Sequence, residues 1–485
     1  MRNSVSFLLN GVKKEVTGLA AFLPLSSYLR YECGLTGTKV VCAEGDCGAC
    51  TIMVAKWAPD TPPQYQSINS CIAMTFAMDG ASLVTVEGLS ESKGHSKEHS
   101  KEHSKELSEV QCSMVRNFGG QCGFCTPGFV MAIANMYEQK SEPTLQNAKN
   151  YLTGNLCRCT GYTPILNAAL DVDANKHTLI RDKFPPESFS EKMNRGVRIS
   201  LIDSEYYAPT TLQEACAYKE KNSGVVLFSG ATDLGVQINK GHLEPRRILS
   251  LHLIPELYSR SIAGQRSERE AQVGARVTLA EFQRLISDEI PSLDRFLNIF
   301  ASVQIKNAGT LVGNLANASP IADMTPALMA LDADVHIVGL FGRRACKLKD
   351  FYIGYKKIDL KPDEIITHIS FKIPESNQNI ENYKVSQRRD LDISTVNASF
   401  NFRMNGSKIA SAKIALGGVA ATTLRMTEIE KKIEGTELNA AKLEEIKNLI
   451  VAGIKPLSDM RGSSVYRSLL AANLFEKYAR EQLNI

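Results

Sequence analysis

Scarcity narrows the reading of this 485-residue sequence before any motif does. It holds one tryptophan, Trp57, which is read as packing, and eight scattered histidines that offer no base–nucleophile pair of the hydrolase kind. No apolar run approaches the roughly 18 residues needed to cross a bilayer, and the opening MRNSVSFLLNGVKKEV lacks the long apolar core of a signal peptide. A cytoplasmic chain is therefore expected. Charge of one sign is missing too: 56 Lys and Arg against 52 Asp and Glu give +4, which leaves no footprint for nucleic acid or a membrane surface. There is no GxGxxG opening a helix, so a Rossmann dinucleotide site is not supported.

Cysteine, by contrast, is abundant and crowded. Ten of the twelve fall between Cys33 and Cys159, with only Cys216 and Cys346 beyond. In a reducing compartment such crowding points to metal rather than disulfides. The stretch CAEGDCGAC supplies Cys42, Cys47 and Cys50, and Cys71 follows 21 residues later. This is C-x4-C-x2-C…C, the spacing of a plant-type two-iron, two-sulfur site, in which each iron takes two thiolates and shares two sulfides. Gly45, Gly48 and Ala49 let the loop wrap closely and turn N–H groups toward sulfur. Zinc sites more often join two short pairs, so a cluster is the better reading.

A second set follows in GGQCGFCTPG, with Cys122 and Cys125, and NLCRCTGYTP, with Cys157 and Cys159. Thiolates at helix N-termini suit the helix dipole, and on spacing alone zinc is a serious rival here. Cys33, Cys112, Cys216 and Cys346 stand alone and are read as small buried hydrophobes.

The length suggests roughly three domains. Residues 1–90 alternate apolar and polar in short bursts with one helical candidate, PLSSYLRYEC, which reads as a small sheet crossed by a helix. Residues 91–110 hold the low-complexity run SKGHSKEHSKEHSKELSE. His95, His99 and His103 would share one helical face and could bind a metal, but the alternating Lys and Glu favour a solvated linker. Residues 111–172 carry four helical stretches, and 173–203 form a polar, proline-bearing linker. Beyond it, strand-like runs such as VVLFSG, ADVHIVGL and EIITHISFKI alternate with helical ones in an α+β region, divided here into 204–375 and a C-terminal lobe, 376–485.

EGDCGACT, QCGFCTPGF and GNLCRCTGYTPI, in this order, resemble the two-cluster iron–sulfur region of the xanthine dehydrogenase and molybdenum hydroxylase family. The likeness runs from the first strand to YRSLLAANLFEKY near the end. It implies a multidomain α+β chain: a β-grasp plant-type ferredoxin domain, a four-helix [2Fe-2S] domain, a two-lobed non-Rossmann FAD-binding domain of PCMH/VAO-like fold, and a C-terminal α+β lobe. For the second cysteine set it implies iron rather than zinc.

Two glycine turns, LFSGATDLG and NAGTLVGNLANASPIADM, resemble the FAD cradles of that family. The resemblance implies FAD contacts at Leu227, Phe228, Ser229, Gly230, Ala231, Thr232, Asp233 and Leu234. It implies further contacts at Thr310, Leu311, Val312, Gly313 and Asn314, and at Phe300, Asp323, Ile366 and Lys384. In YKVSQRRDLDIS it implies a mobile flavin-access loop, Arg388, Arg389, Asp390, Leu391, Asp392 and Ile393, which composition alone reads as a solvated charged loop.

Family members on one polypeptide continue into a molybdopterin-binding portion. The sequence ends at Ile485, and the expectation is an iron–sulfur and FAD subunit with a separate molybdenum-cofactor large subunit, assembled as a dimer of heterodimers. Electrons from hydroxylation of hypoxanthine or xanthine on that partner would pass the Cys122, Cys125, Cys157, Cys159 cluster, with Gln121 facing the pterin. They would then pass the Cys42, Cys47, Cys50, Cys71 cluster, FAD and finally NAD as co-substrate. Carbon monoxide dehydrogenases usually keep cluster and flavin regions on separate chains, so the fusion favours the xanthine type. Alternatives are another molybdenum hydroxylase acting on an aldehyde or N-heterocycle, a stand-alone NADH-dependent iron–sulfur flavoprotein reductase, and a zinc-bearing scaffold.

Overall fold

The computed structural model describes residues 1–92, 105–186, 189, 193–265 and 268–483. His95, His99 and His103 lie outside them. The chain forms two compact units, Met1–Pro255 with Ser302–Gly309, and Glu256–Ala301 with Thr310–Ile485.

The first unit begins with β1 (Val5–Leu9), β2 (Val12–Val16), β3 (Thr51–Ala55), β4 (Tyr65–Asn69) and β5 (Ser82–Val84), in the order β2-β1-β5-β3-β4. Only β1 and β5 run parallel. Asn10 and Gly11, both at positive φ, make the two-residue turn between β1 and β2, the conformation an Asn-Gly pair favours. All five residues of VSFLL in β1 are buried, and Phe7 meets the ring of Tyr28 edge-on at 5.9 Å. That contact seats the helical segment from Leu25 to Glu32 on the sheet.

Short strands β6 (Glu91–Ser92) and β7 (Lys105–Glu106) pair antiparallel. Four helices follow: Glu109–Arg116, Thr126–Glu138, Leu145–Leu152 and Thr163–Leu170. The first starts at a reciprocal cap in which the Ser108 side chain accepts from the Gln111 N–H. The second is buried from Gly128 to Glu138, as its all-round apolar sequence requires.

A second sheet completes this unit, β10 (Val226–Phe228), β11 (Arg247–Ser250), β9 (Glu205–Ala208) and β8 (Val197–Ser200) in that order. Residues 197–200 were expected within a linker. They form a strand because Val197 and Ile199 turn inward while Arg198 and Ser200 face out, an alternation too short to stand out beside the polar run before it. Phe76 binds the two sheets: it stacks on Tyr206 at 4.5 Å and meets Phe228 edge-on at 5.2 Å.

In the second unit, β12 (Arg260–Ala263), β13 (Glu270–Gly274), β14 (Asp334–Gly339), β15 (Gly342–Lys347) and β18 (Ile365–Lys372) form an antiparallel sheet, order β12-β13-β18-β14-β15. The hairpin β16 (Tyr352–Gly354) and β17 (Lys357–Ile358) stands apart from it. An antiparallel meander follows, β19 (Gln378–Val385), β20 (Val396–Asn405), β21 (Lys408–Gly417) and β22 (Leu424–Arg425). Phe400 and Phe402 of β20 pack on Phe475 and Tyr478 of the helix Ser464–Gln482. The whole chain is therefore multidomain α+β. Among the described residues, no helix is long and apolar enough to cross a membrane.

Candidate iron–sulfur and flavin sites

The loop before β3 bends through three left-handed residues, Ala43, Gly45 and Gly48. This curvature brings Cys42, Cys47 and Cys50 to Cys71, just after β4. The sulfurs touch in a chain. Hydrogen bonds with the Cys47 and Cys71 thiols hold Cys42 well below the ordinary thiol range, and the same bonds push Cys47 and Cys71 up. Cys50 is lowered by the Cys71 thiol. The Glu44 N–H donates to Cys42 Sγ at 3.4 Å, and Asn69 Nδ2 donates to Cys50 Sγ at 3.8 Å. Cys50 and Cys71 are buried, and Cys42 and Cys47 are half-buried.

The second set gathers around the start of the helix Thr126–Glu138. Cys122 and Cys159 sulfurs lie 3.3 Å apart, and both residues are exposed. Burial, then the Cys157 thiol, pushes Cys125 up to about 12. For Cys157 burial acts upward, but the Thr160 hydroxyl at 3.2 Å and the N–H groups of Thr160 and Cys159 prevail and lower it to about 7. Four sulfurs with N–H and O–H donors aimed at them suit thiolate ligation. Among the described residues no three such side chains converge on one ion position. That is compatible with a two-iron cluster, which divides four thiolates between two irons. Gln121 is exposed beside Cys122.

The two sets are tied by backbone. The Leu156 N–H donates to the Cys47 carbonyl at 3.0 Å, so a cysteine of the first set and the residue before Cys157 of the second share a hydrogen bond. Asn155 Nδ2 donates to the Gly48 carbonyl at 3.0 Å, and Gln304 Nε2 donates to Asn155 Oδ1 at 2.8 Å. A Cβ on Gly48 would fall 2.4 Å from the Gly154 carbonyl oxygen, so only glycine allows this approach. Sequence reasoning missed Asn155 and Gln304. Asn155 stands two residues before Cys157 and had a positional signal; Gln304 had none.

The flavin candidates fall in both units. In the first, Phe228 ends β10 in the core, and left-handed Ala231 turns the chain into the helix Thr232–Asn239, whose first N–H groups have no partner within the helix. In the second, Thr310 caps the helix Leu311–Ala316 by accepting from the Gly313 N–H at 3.0 Å. The N–H groups of Leu311 and Asn314 donate to the Val277 and Thr310 carbonyls. Most of the N–H groups expected to cradle a phosphate there are thus engaged within the chain. The side chain of Asn314 is a further candidate: its buried Oδ1 has no partner among the described residues.

Phe300, Asp323 and Lys384 do converge. Lys384 Nζ lies 2.6 Å from Asp323 Oδ2 and 5.7 Å from the Phe300 ring centroid. Asp323 also accepts from Ser394 Oγ and from Asn397 Nδ2. Ile366 is buried in β18. The loop Arg388–Ile393 is closed on itself: the Arg388 backbone N–H and Nε both reach the Asp392 carboxylate at 2.8 Å, and Leu391 takes a left-handed φ of 71°.

Comparison with known proteins follows the same division. Residues 85–170 match a family described as a [2Fe-2S] binding domain, 200–376 the FAD binding domain in molybdopterin dehydrogenase, and 381–482 the CO dehydrogenase flavoprotein C-terminal domain. The chain fits the iron–sulfur and FAD part of a molybdenum hydroxylase. Among curated molybdenum hydroxylases, xanthine dehydrogenase from Oryza sativa subsp. japonica is 29% identical and xanthine dehydrogenase/oxidase from Gallus gallus 26% identical, each over 97% of this chain. The chain spans 39% of the length of those relatives. Among solved structures, carbon monoxide dehydrogenase from Oligotropha carboxidovorans matches at TM-score 0.54 and 26% identity, over 57% of this chain and 96% of that one. Quinoline 2-oxidoreductase from Pseudomonas putida 86 shares the fold, at TM-score 0.52 and 24% identity, over 57% of this chain and 96% of its own. Iron–sulfur and FAD cofactors are supported by these domains, and a molybdopterin partner fits the family.

Proposed function

We propose that this chain is the electron-transfer part of a cytoplasmic xanthine dehydrogenase that takes electrons from a molybdenum-cofactor subunit and delivers them to NAD. The observation that carries the proposal is the pair of four-thiol sets joined through the Leu156–Cys47 hydrogen bond. Support also comes from xanthine dehydrogenase relatives aligned over 97% of the chain. In this reading residues 1–90 are a β-grasp ferredoxin domain and 111–172 a helical cluster domain, with linkers at 91–110 and 173–203. Residues 204–375 bind FAD, and 376–485 form the C-terminal lobe.

Cys42, Cys47, Cys50 and Cys71 would hold one cluster, and Cys122, Cys125, Cys157 and Cys159 the other. The clusters supply single-electron transfer and the flavin joins it to the two-electron chemistry of NAD. The residues supply placement. The exposed Cys122 and Cys159, with Phe118 81% and Phe124 50% exposed nearby in sequence, suit cover by a molybdenum-bearing partner, toward which Gln121 would point. In the second unit Lys384, fixed by Asp323 and lying over Phe300, would place a cation at FAD and Asn314 would meet it with its Oδ1, while residues 227–234 of the first unit are FAD contacts on the resemblance alone. The Arg388–Asp392 closure would govern how nicotinamide reaches it. A dimer of heterodimers is the assembly the family suggests.

A second reading is another molybdenum hydroxylase acting on an aldehyde or an N-heterocycle, since carbon monoxide dehydrogenase and quinoline 2-oxidoreductase share the fold over 57% of this chain. The test is anaerobic titration of the purified chain with NADH, followed by visible absorption, low-temperature EPR and metal analysis. Flavin bleaching with two distinct two-iron signals, at about four irons per chain, is expected. Zinc without flavin would refute the proposal. Restoration of xanthine, aldehyde or heterocycle oxidation by the co-purified molybdenum partner separates the two readings.

A further inference from the structure

One short helix touches both kinds of candidate site within the first unit. Thr232–Asn239 begins in the loop assigned above to FAD and ends at the cage of the first cysteine set. Eight residues of α-helix span about 12 Å. At its far end Asn239 Nδ2 donates two hydrogen bonds, both 2.8 Å, one to the Ala43 carbonyl and one to the Cys71 carbonyl. An amide nitrogen carries two protons, and both are spent here. The two acceptors belong to the two chain segments that supply the ligands: Ala43 adjoins Cys42 in the loop, and Cys71 follows β4.

The middle of the helix is pressed onto the same segment. A Cβ on Gly235 would fall 2.1 Å from the Ile72 carbonyl oxygen, and Val236 packs against Cys50, Cys71 and Ile72. Lys240, just beyond the helix, pairs with Glu44 of the loop at 3.0 Å, an exposed contact worth little. We infer that Asn239 is a positioning residue: it clasps the two halves of the first cluster's cage and fixes that cluster to the helix that leads from the flavin loop. The inference rests on the reading of the eight cysteines and of residues 227–234 given above. Its content is specific to one side chain, because the backbone of a helix end cannot donate to both carbonyls at once.

The test uses the full chain and the variants Asn239→Asp and Asn239→Gln. Asp keeps the volume but has no proton to donate, so both bonds are lost and a carboxylate faces two carbonyl oxygens. Gln keeps the donor on a stem one methylene longer. In the Asp variant the EPR signal of the first cluster is expected to shift, and its iron should pass to a chelator about thirtyfold faster, the effect expected when two neutral hydrogen bonds are lost. The signal of the second cluster and the bound flavin should stay as in the unaltered chain and report that the variant is folded. The Gln variant should fall between the two. Unchanged first-cluster spectrum and iron release in the Asp variant, or equal damage in both variants, would overturn the inference. Absence of a first cluster from the unaltered chain would instead overturn the reading on which it rests.

Discussion

Gly128, on the first turn of the buried helix Thr126–Glu138, sets the approach of that helix to the Cys47–Cys50 loop, and its replacement by alanine measures that role. Inside a helix the change ordinarily stabilises by about 0.5–1 kcal/mol. Here a Cβ would lie 2.3 Å from the Gly48 carbonyl oxygen and 3.0 Å from Ala49 Cα, with Asn155 Nδ2 at 3.1 Å. Two of these neighbours are backbone of the loop that carries Cys47 and Cys50, and neither can swing aside as a flexible side chain would. Forcing a methyl into such a contact costs about 1–3 kcal/mol. Set against the helix gain, Gly128→Ala should lose about 1–2 kcal/mol, or about 2–8 °C in the midpoint of thermal bleaching of the iron–sulfur absorption. Both cluster signals should change shape, since the methyl wedges one loop from the other. A variant as stable as the unaltered chain, with both spectra unchanged, would refute the argument that this contact limits their approach.

Arg2 grips the wholly buried Asp79 carboxylate through two nitrogens at 2.8 and 2.7 Å, and His252 Nε2 lies 3.3 Å away. Arg2→Ala should cost about 3–5 kcal/mol in urea unfolding, because it leaves a buried charge short of its main partner. Burial alone would raise Asp79, but His252 and Arg2 hold it below the usual carboxylate range. The stability this supplies is complete above about pH 4 and is lost as pH falls through the folded value. At the stacked pair His336 and His368, ring centroids 4.0 Å apart, burial and then His336 and Arg343 lower His368 to about 4. The folded chain binds this proton less readily than the unfolded one, so stability is full above about pH 6.5 and falls toward pH 4. After allowance for solvent at a half-buried site, about 1–2 kcal/mol should separate pH 7 from pH 4.5 in urea midpoints, and His368→Gln should flatten the slope. Cys122→Ser should halve iron from about four to about two per chain while the first cluster's EPR signal persists.

The sequence disclosed what is local. Cysteine spacing, the Asn10-Gly11 turn and the apolar periodicity of four helices each depend on residues a few positions apart, and each can be seen without a fold. What holds the sites in place is not local. Gln304 reaches Asn155 across 149 residues, and Asn239 reaches Cys71 across 168. An asparagine in a polar helix end carries no mark of the carbonyls it will meet. The same limit applies at Thr310–Asn314, where a glycine turn suggested free N–H groups and the Thr310 hydroxyl and the carbonyls of Val277 and Thr310 take three of them. β8 was hidden for a different reason, since two inward residues in four make too short a period to recognise.

The segment Ser302–Gly309 belongs to the first unit although the chain leaves that unit at Pro255. It brings Gln304 to Thr51 and Asn155, and Asn307 to the Ser67 carbonyl. During synthesis, then, the first unit cannot close when its first 255 residues have emerged. It must wait for 54 more, from 255 to 309, about 3–11 seconds at ordinary ribosomal speed. Throughout that interval Thr51, Ser67 and Asn155 lack the hydrogen bonds that Gln304 and Asn307 bring, so the last fastening of the cysteine-bearing segments is the last part of this unit to be synthesised.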